Sequence, residues 1–311
     1  MEIRHLRHFV AAVDHGNLSR AADKVFISQP ALTRSIKTLE DLLGAPLLER
    51  RPRGVVPTAA GHALYAHAKL ILNEAARARA EVKAVTAGSR GELVVGIAAM
   101  FADHVIDRVV AQIAGVPPGA GLAAGVGVVV IQGLLEDLLD SLREGRIDLI
   151  FTNLGDGGLG GDLRVEPLME VRAYPYAGVG HPLARRRRVT KEDLLNERWV
   201  VVDQAHMRDF LDRWFAADGL PPPSFAVRTN SLNLIRSLLA TGGFVGILPE
   251  HVVALRARRG EVRALRAPDC PIVRRAGLIT RAQARVRPVM AEFMELVREA
   301  SASAAMRFTH G

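Results

Sequence analysis

The chain has 311 residues, 49% hydrophobic and 24% charged, the ordinary balance of a globular protein with enough apolar side chains for two or three cores. That balance excludes a disordered chain, while the single cysteine, Cys270, excludes an intramolecular disulfide and sits in no metal-ligand spacing, as suits a reducing cytoplasm. Of the net charge of +8, six units lie in residues 1–90, where 14 Lys and Arg face 8 Asp and Glu, so this end is either a solvated basic surface or one that meets a polyanion.

The opening MEIRHLRHFVAAVDHG has no apolar core of signal-peptide length, and no later stretch reaches about 18 uninterrupted apolar residues. The expected location is therefore the cytoplasm, with no membrane contact. Three short helical patterns come first. Leu6, Phe9, Val10 and Val13 share one face, as do Leu18, Ala21, Ala22 and Val25, and then Leu32, Ile36, Leu39 and Leu43. Gly16-Asn17 separates the first two helices, and Phe26-Ile27 is a tight apolar connection expected to plug the gap between the second and third.

Ser28 has the hydroxyl of an N-cap, and Pro30 is tolerated in a first turn, so the third helix is expected to start abruptly. Its outward side carries Gln29, Thr33 and Lys37, with Pro30 and Arg34 beside them. Gln can bridge an adenine edge, Thr offers hydroxyl and methyl, and Arg can grip guanine with two hydrogen bonds, while Lys37 suits phosphate. The helix start also aims unpaired N–H groups outward, where an anion is favoured. After Gly44, Leu47-Leu48 and Val55-Val56 flank a Pro/Gly turn, a small hairpin with Arg50, Arg51 and Arg53 around its tip. Such a wing can reach phosphates or a minor groove.

These residues resemble the N-terminal domain of the LysR-type transcriptional regulators. The resemblance rests on Ala21-Ala22, Ser28-Gln29-Pro30, the Leu-Glu-x-x-Leu-Gly segment 39–44, Leu-x-Arg at 48–50, and Thr58 through Gly61. It implies that Ser28, Gln29, Pro30, Thr33, Arg34 and Lys37 lie at the DNA-facing end of a recognition helix, and that Arg50, Arg51 and Arg53 belong to its wing.

From Thr58 to Ala87 no proline interrupts a pattern in which Leu64, Ala68, Ile71, Ala75, Ala78, Val82 and Val85 recur in steps of four and three. That is a heptad seam suited to pairing with a second copy, or else to packing on its own chain. Two copies of one reading head would recognise two half-sites related by a twofold axis. The resemblance implies a linker helix of this kind, in dimers that pair again into tetramers.

Beyond residue 88 the pattern changes to alternating strands and helices. Strands are expected at 93–97, 126–131, 147–151, 199–202, 225–227 and 244–248, and helices at 102–113, 134–143, 207–217 and 232–240, which reads as parallel sheet covered by helices. EGRIDLIF, His181-Pro182-Leu183, the Trp199 segment and LLATGGFVGILPE resemble landmarks of the same family's effector domain. The resemblance implies two lobes like those of a periplasmic binding protein, with a ligand cleft between them. The expected organisation is a winged helix-turn-helix at 1–58, with the motif itself at about 18–37, then a linker and dimerisation helix at 59–88. An α/β effector domain follows at 89–311, its lobe I at about 89–165 and 266–300 and its lobe II at about 166–265.

Ligands of open parallel sheets bind beyond strand carboxyl ends. That rule nominates Met100, Phe101, Gln132, Gly133, Asn153, Asp203, Asn230 and Ser231. By resemblance, the residues after the first strand often include a hydroxyl that holds an effector carboxylate. Here they are Ala98, Ala99 and Met100, which speaks against a carboxylate effector held in that way.

GDGGLG at 155–160 fits a dinucleotide fingerprint but is followed by no helical pattern, so it reads as a loop. Arg185–Arg188 reads as a solvated run. His62 and His67 are wrongly spaced for one helical face and have no partner cluster for zinc. With no P-loop, G-x-S-x-G or H-E-x-x-H, the sequence makes no positive case for an enzyme. Its rivals are a Rossmann-type or binding-protein-like enzyme fused to a DNA-binding head, and a structural DNA-binding protein without a sensor. The expected function is a regulator that binds an inverted-repeat operator and responds to a small-molecule effector. Its expected partners are double-stranded DNA, its own copies and RNA polymerase, and no cofactor is expected.

Overall fold

The computed structural model describes residues 1–86, 91–114, 127–155, 158–203 and 205–308. By its internal contacts the chain divides into two compact units. One comprises Met1–Val95, Pro117–Val129 and Glu136–Ile150; the other comprises Gly96–Val116, Val130–Leu135 and Phe151–Gly311.

The first unit opens with α1 (Ile3–His15), α2 (Leu18–Lys24) and α3 (Gln29–Leu43). Gly16 stops α1 with φ 59°, a conformation that glycine adopts without a Cβ clash, and the Asn17 side chain then caps α2 by accepting from the Ser19 and Arg20 N–H groups. Ser28 caps α3 by accepting from Ala31 N–H at 3.4 Å. Two apolar clusters hold these helices. Ala11, Ala12, Ala21, Ala22, Leu32 and Ile36 form one, and Leu6, Phe9, Val10, Leu39, Leu47 and Ala68 form the other. The expected plug at Phe26-Ile27 is half right. Ile27 packs on the first cluster, but Phe26 takes φ 59° and is 93% exposed, because the left-handed turn that sends Ile27 inward sends its neighbour out.

The wing is the hairpin β1 (Leu48–Arg51) and β2 (Gly54–Pro57), paired from Leu48↔Pro57 to Arg51↔Gly54, so that Pro52 and Arg53 form its turn. It is anchored at both ends. The Glu40 carboxylate accepts from the Leu47 and Leu48 N–H groups at 2.8 and 3.2 Å, and Val55 N–H donates to the Gly16 carbonyl at 2.9 Å. A Cβ on Gly54 would stand 2.0 Å from Gly16 O, so only glycine lets the wing approach this closely. Thr58 Oγ1 accepts from Gly61 N–H and donates to the Pro46 carbonyl, which starts the long helix α4 (Ala59–Thr86) against the base of the wing.

Strands β3 (Glu92–Ile97), β4 (Gly127–Gln132) and β5 (Leu149–Leu154), with α5 (Asp107–Ala114) and α6 (Leu135–Arg143), follow the expected alternation, each within a few residues of the expected bounds. The expected helix at 102–113 begins differently, as a 3-10 turn over Ala99–Phe101 and a π-helical turn over Ala102–Ile106. The second unit adds β6 (Leu163–Gly178), α7 (Lys191–Leu195), β7 (Trp199–Val202), α8 (Ala205–Ala216), β8 (Phe225–Thr229), α9 (Leu232–Ala240), β9 (Val245–Pro249), α10 (Glu250–Arg258), β10 (Val262–Ala264), β11 (Ile272–Arg281) and α11 (Pro288–Phe308).

The sheet runs β4-β3-β5-β11-β6-β9-β7-β8, with β10 also pairing β6. Strands β7, β8 and β9 are parallel, as the alternation implies. The long antiparallel pair β6 and β11, in register from Ala173↔Ile272 to Leu163↔Arg281, is an addition to the expected strands. A register shift at Ala276/Gly277 brings Gly277 so close to β6 that a Cβ would meet Glu166 O at 2.0 Å. Arg298 of α11 ties down the same strand, donating to both Glu166 carboxylate oxygens at 2.7 and 3.0 Å. Around β7 and β9, Trp199, Leu211, Trp214, Phe215 and Val245 form a large core, and Lys191 is buried beside it. Its ammonium is held by Asp218 at 2.7 Å, Asp269 at 2.9 Å and the Trp214 carbonyl at 2.8 Å, so the charge is paired where it is dry. The GDGGLG stretch falls partly outside the described residues.

Candidate nucleic-acid interface and effector-site residues

The apolar side of α3, Leu32, Ile36 and Leu39, is fully committed to the two clusters, so the opposite side is free for a partner. Ser28, Gln29, Pro30, Arg34 and Lys37 are exposed, and Thr33 is half-buried. Gln29 is held ready, because its Oε1 accepts from Ser19 Oγ at 3.0 Å. Behind α3, His8 Nδ1 lies 2.7 Å from Ser35 Oγ, and burial, reinforced by His5, Arg7 and Arg4, lowers the His8 pKa. The helix is therefore braced from the rear by a neutral contact.

Arg50, Arg51 and Arg53 stand exposed on the wing, as the sequence implies. Between α3 and the wing lies a recess of about 580 Å³ whose lining includes Thr33, Lys37, Glu40, Asp41, Pro46 and Arg50. Lys37 and Arg50 bring cationic ends to its rim. Glu40 is occupied by the wing backbone, so it shapes the recess as an anchor. The arrangement sets an exposed polar helix flank beside a guanidinium-bearing hairpin, a geometry suited to gripping a duplex at groove and backbone together.

The expected dimer seam on α4 divides in two. Ala68 is buried in the head's own core and Leu64 packs on the same cluster, so these two residues are occupied within the chain. Farther along, Ile71, Ala78 and Val82 are exposed and Ala75 is half-buried. The face roughly opposite, two residues away at about 100° per residue, carries Lys69, Asn73 and Arg77. These bind the α6–β5 corner of the same unit. Lys69 Nζ is 3.0 Å from Glu144, Asn73 Nδ2 donates to the Glu144 carbonyl at 2.7 Å, and Arg77 donates to Asp148 and, at 2.8 Å, to the Gly145 carbonyl. No sequence motif announced this polar seam; the i, i+4, i+8 spacing of the three residues was its only signal.

In the second unit the nominated effector residues fall into three groups, around Met100, at the ends of β7 and β8, and at the end of β4. Met100 packs among Ile235, Leu239 and Val252, and its carbonyl lies 2.9 Å from His251 Nε2. Phe101 is 1% exposed, edge-on to Phe151 and stacked on His251, so, contrary to its nomination, it is a core residue and does not line an open surface. Asn153 Nδ2 donates to Met100 Sδ at 3.1 Å, while its Oδ1 is buried without a hydrogen-bond partner among the described residues. A buried amide oxygen left in that state is an acceptor that a ligand or water would satisfy.

At the ends of β7 and β8, Asp203 accepts from Arg208 at 3.1 Å, and Asn230 is exposed. Ser231 caps α9 by accepting from Leu234 N–H at 3.3 Å, so its oxygen is already in use. Gln132 is exposed, and Gly133 N–H donates to the Ile97 carbonyl at 3.2 Å. His251, Asp103 and Arg236 were missed by the sequence reading. Arg236 donates to Asp103 at 3.2 Å and so joins α9 to the π-helical turn. Such long-range partners leave no local pattern.

A winged reading head joined by one long helix to an α/β domain of this topology defines a DNA-binding regulator that carries its own sensing domain. Residues 3–62 match the family described as bacterial regulatory helix-turn-helix protein, lysR family, and residues 86–302 match the LysR substrate binding domain. The chain belongs to the LysR family: it is a DNA-binding transcriptional regulator with an effector-binding domain, and not an enzyme. It is similar to the SDS degradation transcriptional activation protein of Pseudomonas sp. (strain ATCC 19151), with 31% identity covering 97% of each chain. In fold it is similar to the LysR family regulator CbnR, with TM-score 0.65, 23% identity, and coverage of 97% of this chain and 99% of that one. It is also similar to full-length CbnR in complex with its target DNA, with TM-score 0.52, 24% identity, and coverage of 97% and 100%. No described helix is long and apolar enough to cross a membrane.

Proposed function

We propose that the chain acts in the cytoplasm as a dimer, or a pair of dimers, on an operator made of two half-sites in inverted repeat. Each α3 would lie in a major groove, where Gln29, Thr33 and Arg34 discriminate bases, while Lys37 and the wing residues Arg50, Arg51 and Arg53 hold phosphates. Ser28 and Pro30 set the start of the helix against the groove. The carrying observation is the division of α3 into a committed apolar side and an exposed polar side that keeps company with three exposed wing arginines.

Pairing through α4 is supported by the exposed apolar side chains that remain on it. Ile71, Val82 and Val85 are 38%, 66% and 74% exposed, and the small residues Ala75 and Ala78 between them would allow close approach. The half-sites would then be set apart by the dimer's own twofold symmetry.

A small-molecule effector is expected at the strand ends of the α/β domain, divided into the two lobes stated above. Asn153, with its unsatisfied buried oxygen, and the exposed Gln132, Asp203 and Asn230 are the contacts proposed for it. By favouring one lobe arrangement the effector would change the spacing of the heads and the bend of the DNA, and so recruitment of RNA polymerase. Selection of bound sequences from randomised duplexes, repeated with a metabolite pool, tests this reading. An enriched inverted repeat whose occupancy or footprint changes with a metabolite supports it. Retention of all sequences alike would overturn it.

A further inference from the structure

Phe26 has no role in the fold just described. Among the exposed large apolar side chains of the described residues it is the most open, at 93%, and it holds φ 59°, a left-handed conformation that suits glycine or asparagine far better than an aromatic residue. The turn is fixed around it by Phe26 N–H donating to the Asp23 carbonyl at 3.2 Å and Ile27 N–H to the Ala22 carbonyl at 3.1 Å. The backbone thus holds the ring outward in one place, two residues before the cap of α3. The exposed cations Arg20 and Lys24 of α2 precede it in the chain and the exposed Arg34 of α3 follows it.

We infer that Phe26 is a specificity-determining residue that packs on a thymine C5-methyl group at the edge of the bases read by α3. An aromatic ring on a fixed turn, next to the flank proposed to read bases and with cations before and after it in the chain, fits a groove edge in both charge and position. The thymine methyl is the apolar feature of the major groove that such a ring can select. The inference rests on α3 lying in that groove. Phe26 adds to the face a contact without hydrogen bonds, so it distinguishes thymine from cytosine where Gln29 and Arg34 do not reach.

The test uses the full-length chain and a duplex recovered with it from randomised DNA. Each thymine is replaced in turn by deoxyuracil, which removes only the methyl group, and affinities are measured for wild type and Phe26→Asn, since asparagine accepts the left-handed backbone. Wild type should lose about 5- to 10-fold at one thymine per half-site, the low end of what a single base contact is worth. Phe26→Asn should bind the parent duplex more weakly by a similar factor and be indifferent to that replacement, with an unchanged or higher Tm. Equal uracil sensitivity in both proteins, unchanged DNA affinity, or a Tm lowered by several degrees would overturn the inference. Arg34→Ala, run beside it, separates the two readings. If its base preference changes while that of Phe26→Asn does not, only the Phe26 contact fails; if neither changes, α3 is not the reading element.

Discussion

Arg77 of α4 grips Asp148 at the start of β5, and the same carboxylate accepts from Val94 N–H at 2.9 Å, so one buried anion fastens the linker helix to the opening strand of the α/β domain. Asp148 is only 3% exposed, so these partners take the place of the water it has lost. Arg77→Ala should cost about 2–3 kcal/mol, at or below the low end of the range of about 3–5 kcal/mol for breaking a fully buried pair, because Arg77 keeps some solvent contact. A double-mutant cycle with Asp148→Asn in urea unfolding should return a coupling above about 1 kcal/mol. Simple additivity would mean that the two side chains do not support one another.

Glu144, on the same corner, gives this junction a pH dependence. Burial pushes its pKa up, but hydrogen bonds from Arg146 and Lys69 outweigh burial and hold the carboxyl below its ordinary value. A depressed carboxylate contributes stability that is full above its unfolded pKa, about 4.3, and is lost as pH falls through the lower folded value. Wild type should therefore lose more stability between about pH 5 and pH 3 than Glu144→Gln. Parallel acid profiles for the two proteins would remove Glu144 from the account.

Cys270 should be a slow thiol. Burial, then the neighbouring Asp269 carboxylate, push its pKa up to about 11. At pH 8 its thiolate fraction is then about two orders of magnitude below that of a free cysteine. Alkylation of the native chain with iodoacetamide should be slower by about that factor than after unfolding. Equal rates in both states would show that the thiol is neither raised nor shielded.

The exposed stripe on α4 predicts a response to charge. Ile71→Glu places a carboxylate in the proposed pairing seam, while the Lys69, Asn73 and Arg77 contacts on the other face stay intact. Light scattering should show a shift toward monomer, with Tm changed by only a few degrees. An unaltered mass would place the pairing surface elsewhere on the chain.

The parts of this molecule that were legible in the sequence are those written locally. Gly16-Asn17, Ser28-Gln29-Pro30 and the apolar spacing from Leu32 to Leu43 name helix stops, caps and faces within one or two turns, and α1 to α4 follow them closely. Phe26 misled because an apolar residue beside Ile27 looks like core, whereas a left-handed turn decides which of the two goes in. Ala68 shows the same limit: its heptad position is real, but whether a neighbour copy or the head covers it is a tertiary matter. The β6–β11 pair joins residues about 100 apart in register, and His251 meets Met100 across 151 residues, so neither leaves a periodic trace. Asn153 was named from its place after the strand expected at 147–151, and the structure extends that strand through it as β5. Its buried, unmatched oxygen could be seen only once Met100 had taken the other end of the amide.

In the proposed division of labour α3 reads bases while the wing holds phosphates, and the two jobs can be measured apart. Affinity for a selected operator and for a scrambled duplex, taken across a salt series, gives discrimination and salt slope together. Arg34→Ala should lose about 1–3 kcal/mol on the operator and little on the scrambled duplex, whereas Arg51→Ala should weaken both and flatten the salt slope by about one unit at most. That division would be contradicted if Arg34→Ala weakened the two duplexes equally while Arg51→Ala left the slope as it was.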